Sequence, residues 1–366
     1  MKKLQNDKKR LVDEAMAGYA AAHRDVLEHI AGTRMMARRH PKEPGKVRLM
    51  MGNGGGHEPG VIGWVGQGML DLNVVGDVFT APSGKMIYQG ISRLAETGPV
   101  ILFVQNHAGD VMNAELAMDM AEDLPVKSVL FYDDIASAPK GQEQERRGMG
   151  GMLFYAKICG ALAGRGALQD EIIAMFEAVR DRTRTLSVAI NGGTHPVTGL
   201  PISGELGENE IEIGMGVHGE GGANRISLPT SRQLASILCD RLLEDAEYEP
   251  GSRLLVMVNG AGGMTMMEMA TLYGDVEAEL RLRGFEPVGC KVGNYLTTQE
   301  TSGISAHDDS SFRQKLLDRY PRTILHCVNG ACPESKRVYF GIAALLSIIH
   351  FNNKSTCRPS SLPNQQ

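Results

Sequence analysis

Three glycine-flanked loops carry the side chains with the most chemistry to offer. In Gly52-Asn-Gly-Gly-Gly-His57-Glu-Pro-Gly60, a strand-like run opens into backbone that a ligand can approach without side-chain obstruction. An imidazole, His57, and a carboxylate, Glu58, follow it. Two phosphate-loop readings fail here. The dinucleotide fingerprint needs a third glycine where His57 stands, and the Walker pattern needs Gly-Lys-Ser/Thr. A structural turn with a solvated histidine accounts for this loop equally well on its own. In Asn106-His-Ala-Gly-Asp110, the aspartate follows a buried-type strand and opens a helix. Capping that helix is its commonest role, and taken alone the stronger one. The same place also suits a base that accepts the proton of a substrate hydroxyl. His218 sits in Gly214-Met-Gly-Val-His-Gly-Glu-Gly-Gly222, where five glycines would clear space on both sides of its ring. A lone histidine beside an apolar strand is usually structural, but a structural histidine gains nothing from emptied surroundings.

The remaining candidates have plainer explanations. Asp133-Asp134 could hold Mg²⁺, yet a capping pair at a strand end is the simpler account. Gly260-Ala-Gly-Gly263 has no lysine or acidic partner and reads as a helix-packing turn, not an anion site. Cysteines 159, 239, 290, 327, 332 and 357 show no CxxC spacing, which points to free thiols without a zinc site or disulfide framework. The 20 methionines fall mostly at helical spacing and read as core filler.

These loops need strands to carry them. Lys46–Met51, Pro99–Gln105 and Lys127–Tyr132 are short apolar runs, each ending in one of the polar segments. Segments of helical character lie between and after them, at 111–122, 147–165 and 169–185. The last of these reads as exposed, and 147–165 as buried. Such alternation predicts α/β architecture with a largely parallel sheet and ligands at the strands' carboxyl ends. A second unit begins near Leu186, with strands 186–190, 211–217 and 254–259 and helices from 230 to 247 and from the 260–263 turn to 283. The expected organisation is two α/β domains, 1–184 and 185–340, with mainly parallel or mixed sheets. After Ser305 the rhythm weakens, and residues 350–366 read as a disordered tail.

Composition narrows the function classes. With 42% hydrophobic and 22% charged residues, the chain has the makeup of a globular enzyme. A net charge of −5 with no Lys/Arg stripe argues against nucleic acid. The longest apolar run, Val338 to Ile349, is short of the ~20 residues a membrane span needs. The lysine-rich start has no apolar stretch behind it, so a cytoplasmic location is expected.

Taken together, the loops resemble the K subunit of the dihydroxyacetone kinases. The matching stretches are Gly52 to Pro59, Gly66-Gln-Gly-Met-Leu70, Asn106 to Asp110 followed by Asn113, Asp133-Asp134 with Arg146-Arg-Gly148, and Glu210 to Glu220. The resemblance runs to about residue 305, and the set in this order is far more specific than any member.

It implies that His218 adds to the carbonyl carbon of a short ketose, forming a covalent hemiaminal that a polyol such as glycerol cannot form. It implies Asp110 as general base toward the substrate's terminal hydroxyl. His57 would hydrogen-bond the substrate and act as general acid, and Gly54 and Gly55 would let backbone groups reach the sugar. No cofactor would be bound by this chain. Mg-ADP, recharged by a phosphotransferase system, or ATP would sit on a partner, here an L-type nucleotide-binding subunit, and the chain itself would form a homodimer. Two substrate-side positions depart from the family pattern. Ala81 replaces a serine after Phe79-Thr80, and Gln105 replaces a lysine before the Asn-x-x-Gly-Asp loop. Both departures keep a four-carbon ketose open as substrate, and a non-catalytic paralogue that controls a transcription regulator is the rival reading. The family's final strand and turn after Ser305 have no counterpart in Ala306-His-Asp-Asp-Ser, which leaves that strand in question.

Overall fold

The computed structural model describes residues 2–222 and 224–310. The expected tail at 350–366, the end of the second unit beyond 310, the apolar run 338–349 and three of the cysteines lie outside the described residues.

The first sheet comprises β1 (Leu27–His29), β2 (Met35–Arg38), β3 (Arg48–Gly55), β4 (Leu72–Val78), β5 (Val100–Gln105) and β6 (Val126–Phe131), in the order β1-β2-β4-β3-β5-β6. β4, β3, β5 and β6 run parallel, and β1 and β2 add an antiparallel edge. Five helices accompany them: α1 (Leu11–Ala22), α2 (Gly84–Ala95), α3 (Ala108–Met120), α4 (Met152–Gly164) and α5 (Gln169–Arg180). One face packs Ile87, Ile91 and Ala117 of α2 and α3 on Met50, Val74 and Leu102. The other packs Met16, Tyr155 and Phe176 of α1, α4 and α5 on Leu49, Met51 and Phe103. Covered on both faces, β3 and β5 are buried at every position, which explains their unbroken apolar character.

A buried charge cluster ties β3 to β4. Asp71 accepts hydrogen bonds from Lys42 Nζ (2.6 Å), Arg38 Nη1 (3.3 Å) and the Leu49 amide (2.7 Å). Burial lowers Lys42 to about 8 even with Asp71 beside it. Asp71→Asn leaves those cations uncompensated, and denaturant unfolding should show a loss of ~3–5 kcal/mol. An unchanged midpoint would mean water already solvates the cluster.

The second sheet holds β7 (Thr183–Asn191), β8 (Glu210–Ile213), β9 (Asn224–Ser227), β10 (Arg253–Gly260), β11 (Glu286–Gly293) and β12 (Ser302–Ser310), in the order β11-β10-β12-β7-β8-β9. Helices α6 (Ser231–Ala246) and α7 (Met266–Leu282) cover one face, each opened by a threonine capping box, at Thr230 and Thr265. The fold class is the expected one, with a largely parallel first sheet and a mixed second sheet. Here β10 and β11 alone are parallel. The reason is β12, the strand the sequence left in question. It runs antiparallel between β10 and β7, with Ile304 opposite both Gly260 and Val188. A strand held by ladder bonds on both sides needs no apolar run to mark it.

Ten residues of α4 are buried, as its low charge predicts. Its start lies against both sheets: a Cβ on Gly151 would stand 2.6 Å from Thr183 and 2.7 Å from Asp133. Val217, Met257 and Leu296 join the first half's core, so the two halves pack as neighbours. No helix among the described residues is long and apolar enough to cross a membrane.

Candidate active site

The junction of the halves gathers the three loops. β3 ends at Gly55 and delivers His57, while β5 ends at Gln105 and delivers the start of α3 with His107 and Asp110. The loop after β8 supplies His218. His57 Nε2 lies 3.2 Å from His218 Nε2. The His218 ring is flanked by His57 and His107, both at 5.1 Å between centroids, and by Phe79 at 5.7 Å.

Two sequence expectations change here. His57 is not solvated: it is only 4% exposed. The glycines around His218 do not empty its surroundings, and β8 ends five residues before it. They let the loop fold onto itself: a Cβ at Gly216 would collide with Glu220 and Arg147, and one at Gly219 or Gly222 with the backbone of Ile202 or Ile213.

Hydrogen bonds fix the tautomers of the central pair. His57 Nδ1 is 2.8 Å from the Thr297 carbonyl, which can only accept, so Nδ1 carries the proton and Nε2 a lone pair. His218 Nδ1 is 3.0 Å from Glu220 Oε1, while the His218 amide donates to Oε2 at 2.9 Å. Burial would raise the Glu220 carboxyl, but the His218 ring and these bonds outweigh it and hold the group well below the usual carboxylate range. Ionised Glu220 thus takes the Nδ1–H of His218, so that in the neutral ring Nε2 is the bare nitrogen. With both rings neutral, two bare nitrogens face each other, an arrangement that favours a donor or an electrophile arriving at one of them. His57 does not supply the missing proton, because burial and the neighbouring His218 push it down to about 3.

Asp110 is not the cap that its position suggested. His107 occupies the N-cap of α3, with no side-chain capping bond, and Asp110 falls in the first turn. Its Oδ1 is buried and has no hydrogen-bond partner. Burial raises the carboxyl to about 7, with the charge of His218 pulling the other way. A carboxylate so placed can accept a proton near neutral pH.

The other expected residues serve the frame. Gln105 Nε2 donates to the Gly148 carbonyl (2.7 Å), tying β5 to the loop that precedes α4. Ala81 faces the Asp110 turn, close to Gly109. Gly54 and Gly55 are needed for packing: a Cβ on Gly54 would come within 2.7 Å of the Thr80 amide nitrogen, and one on Gly55 within 3.1 Å of Val12. Asp133 accepts from the Met149 (2.6 Å) and Gly151 (2.8 Å) amides, and Asp134 pairs with Arg147 (2.8 Å). Both are structural ties.

Sequence reasoning gave no role to His107, Glu220, Phe79, Arg147 or Thr297. His107 stands three residues before Asp110 and Glu220 two after His218, so their proximity was visible in the loops. The Thr297 carbonyl reaches His57 across 240 positions, and no local pattern carries that contact.

A model of the Dak1 domain matches residues 17–307. The dihydroxyacetone-binding subunit of PTS-dependent dihydroxyacetone kinase 1 from Listeria innocua is 40% identical over 83% of this chain and 93% of its own. Among solved structures, a dihydroxyacetone kinase operon co-activator superposes with TM-score 0.78 at 29% identity, over 83% of this chain and 94% of its own. The dihydroxyacetone kinase of C. freundii gives TM-score 0.77 at 28% identity, over 86% of this chain and 58% of its own. The chain belongs to the Dak1 family.

Proposed function

We propose that the chain is the ketose-binding subunit of a dihydroxyacetone kinase, capturing its substrate on His218 for phosphorylation by a donor held on an L-type partner. The observation that carries this reading is the Nε2 of His218, 3.2 Å from the Nε2 of buried His57, near a raised carboxylate, Asp110, whose Oδ1 has no hydrogen-bond partner. In the capture step the His218 lone pair forms the N–C bond as the C=O π pair moves to oxygen. That oxygen takes up the proton that Nδ1 releases through Glu220, leaving a neutral hemiaminal. His57 Nε2 accepts a hydrogen bond from a substrate hydroxyl, a role its fixed tautomer suits better than the general acid that the family resemblance implied. The terminal hydroxyl then attacks the donor's phosphorus, and Asp110 takes its proton.

Dihydroxyacetone is the ketose assigned, in line with the Listeria relative, and the donor is the Mg-ATP formed on the partner when a phosphotransferase system rephosphorylates its bound ADP, which the transfer then regenerates. A binding protein without turnover is the second reading, favoured by the likeness to the operon co-activator. A tether alone would serve such a protein, whereas a carboxylate raised toward neutral pH supports turnover.

Reconstitution decides between them. The chain, mixed with an L-type subunit and a phosphoenolpyruvate-driven phosphotransferase system, should phosphorylate dihydroxyacetone and leave glycerol untouched. Running erythrulose alongside measures the four-carbon alternative. Ketose binding with no phosphorylation of either ketose would hand the function to the second reading.

A further inference from the structure

His107 supplies the observation that the proposed capture chemistry leaves unused. Its Nε2 lies 3.0 Å from the Gly148 carbonyl, so the proton sits there and Nδ1 is a bare lone pair. That lone pair faces Glu220 Oε1, a second acceptor, at 3.7 Å. The same oxygen is 3.0 Å from His218 Nδ1. One ligand atom from each of the three residues can be chosen so that all lie within 4.8 Å of one another. Around a tetrahedral zinc with bonds of ~2.0–2.1 Å, ligand atoms stand ~3.3 Å apart, between the two separations to Oε1. The outer contacts also fit a metal site. The Gly148 carbonyl fixes the His107 ring through its far nitrogen, and Arg147 Nη1 lies 4.0 Å from the other Glu220 oxygen, leaving Oε1 to the cluster.

We propose that His107, Glu220 and His218 bind zinc, or a similar divalent cation that accepts two imidazoles and a carboxylate, and that this cation and the ketose exclude each other. The exclusion half rests on the capture reading given above. Two nitrogen donors select against magnesium and calcium, and three protein ligands leave the fourth position to water.

Exclusion follows from the proton on His218. A cation on Nδ1 requires that nitrogen to be bare, and a neutral ring then carries its hydrogen on Nε2. One proton leaves and one is taken up, so the step conserves charge on the ring. Nε2–H now donates to the bare Nε2 of His57 at 3.2 Å, and the opposition between the two lone pairs is relieved. The same hydrogen removes the nucleophile. The metal state pairs the Nε2–H of His218 with His57 and has no free nucleophile, whereas the metal-free neutral ring offers Nε2 to the ketose.

Cobalt(II) titration of the full chain without ketose tests the site directly. One equivalent should develop intense visible bands of a low-coordinate centre and be displaced by zinc. Losing an outer contact typically weakens metal binding ~10–100-fold, so losing a ligand through His107→Gln or Glu220→Gln should weaken it by at least ~100-fold. Cys290→Ser, which removes an exposed thiol, should leave the titration unchanged. Binding that survives His107→Gln would overturn the site. For exclusion, the ¹³C signal of [2-¹³C]dihydroxyacetone bound to the wild type should lose its tetrahedral resonance at one equivalent of zinc. Whatever adduct His107→Gln forms should ignore zinc. Adduct and metal coexisting would overturn the exclusion. If no adduct forms even without metal, the capture reading fails while the cobalt titration still decides the site.

Discussion

His218→Ala should abolish the ketose adduct and lower phosphorylation by on the order of 10⁴-fold or more, the largest effect expected of any single substitution here. The tether turns a three-carbon molecule, too small to be gripped by contacts alone, into part of the protein. Orientation gained that way is worth effective molarities of ~10⁵ M and above. The loss should fall on both ketose binding and turnover, because the nucleophile acts before the phosphoryl group moves. Selectivity gives a second readout. A pocket distinguishes ketone from alcohol weakly by shape, and a nucleophile distinguishes them absolutely. Phosphorylation of dihydroxyacetone over glycerol should therefore collapse toward parity in the variant. The side chain is 26% exposed, so its removal should leave the fold intact and the comparison clean. With [2-¹³C]dihydroxyacetone, the C2 resonance should stay that of a ketone or its hydrate. Retention of a tenth of wild-type turnover would mean that covalent capture is not how this chain holds its substrate.

What the sequence displayed and what it hid divide along a physical line. The first sheet was legible because β3 and β5 are shielded on both faces and so read as apolar runs, and α4 because a helix packed between sheets sheds its charge. β12 was hidden for the opposite reason: Ser302–Ser310 draws its stability from backbone ladders on two sides, which leave no mark on side-chain choice. His57, Asp110 and His218 could be found because each closes a loop of small residues next to a strand. Their protonation states could not, since these depend on a carbonyl at Thr297, a carboxylate at Glu220 and burial by the other half. The glycines around His218 misled for a related reason. Small residues announce close approach without saying what approaches, and here it is the chain itself.

Asp110→Asn separates catalysis from capture. The adduct on His218 should form as in the wild type, while kcat falls by about 10²–10⁴, the usual worth of a positioned base. Asparagine keeps the shape and the place in the first turn of α3 but cannot take a proton. The wild-type pH profile should carry the same group. Its carboxyl is raised to about 7 by burial, and only the ionised form is a base, so turnover should climb as pH rises through about 7 and level off above it. In Asp110→Asn that limb should flatten. Stability should move oppositely. An unfolded aspartate gives up its proton near pH ~4, whereas the folded one holds it to about 7, so the wild type loses stability as pH rises between those values. The variant escapes that loss and should melt at a higher temperature than wild type at pH 8. A helix cap would behave differently: asparagine caps about as well as aspartate, so the substitution would leave stability and turnover both nearly unchanged. Wild-type kcat in Asp110→Asn, with a competent partner subunit present, would remove Asp110 from the chemistry and leave the chain with a tether and no base.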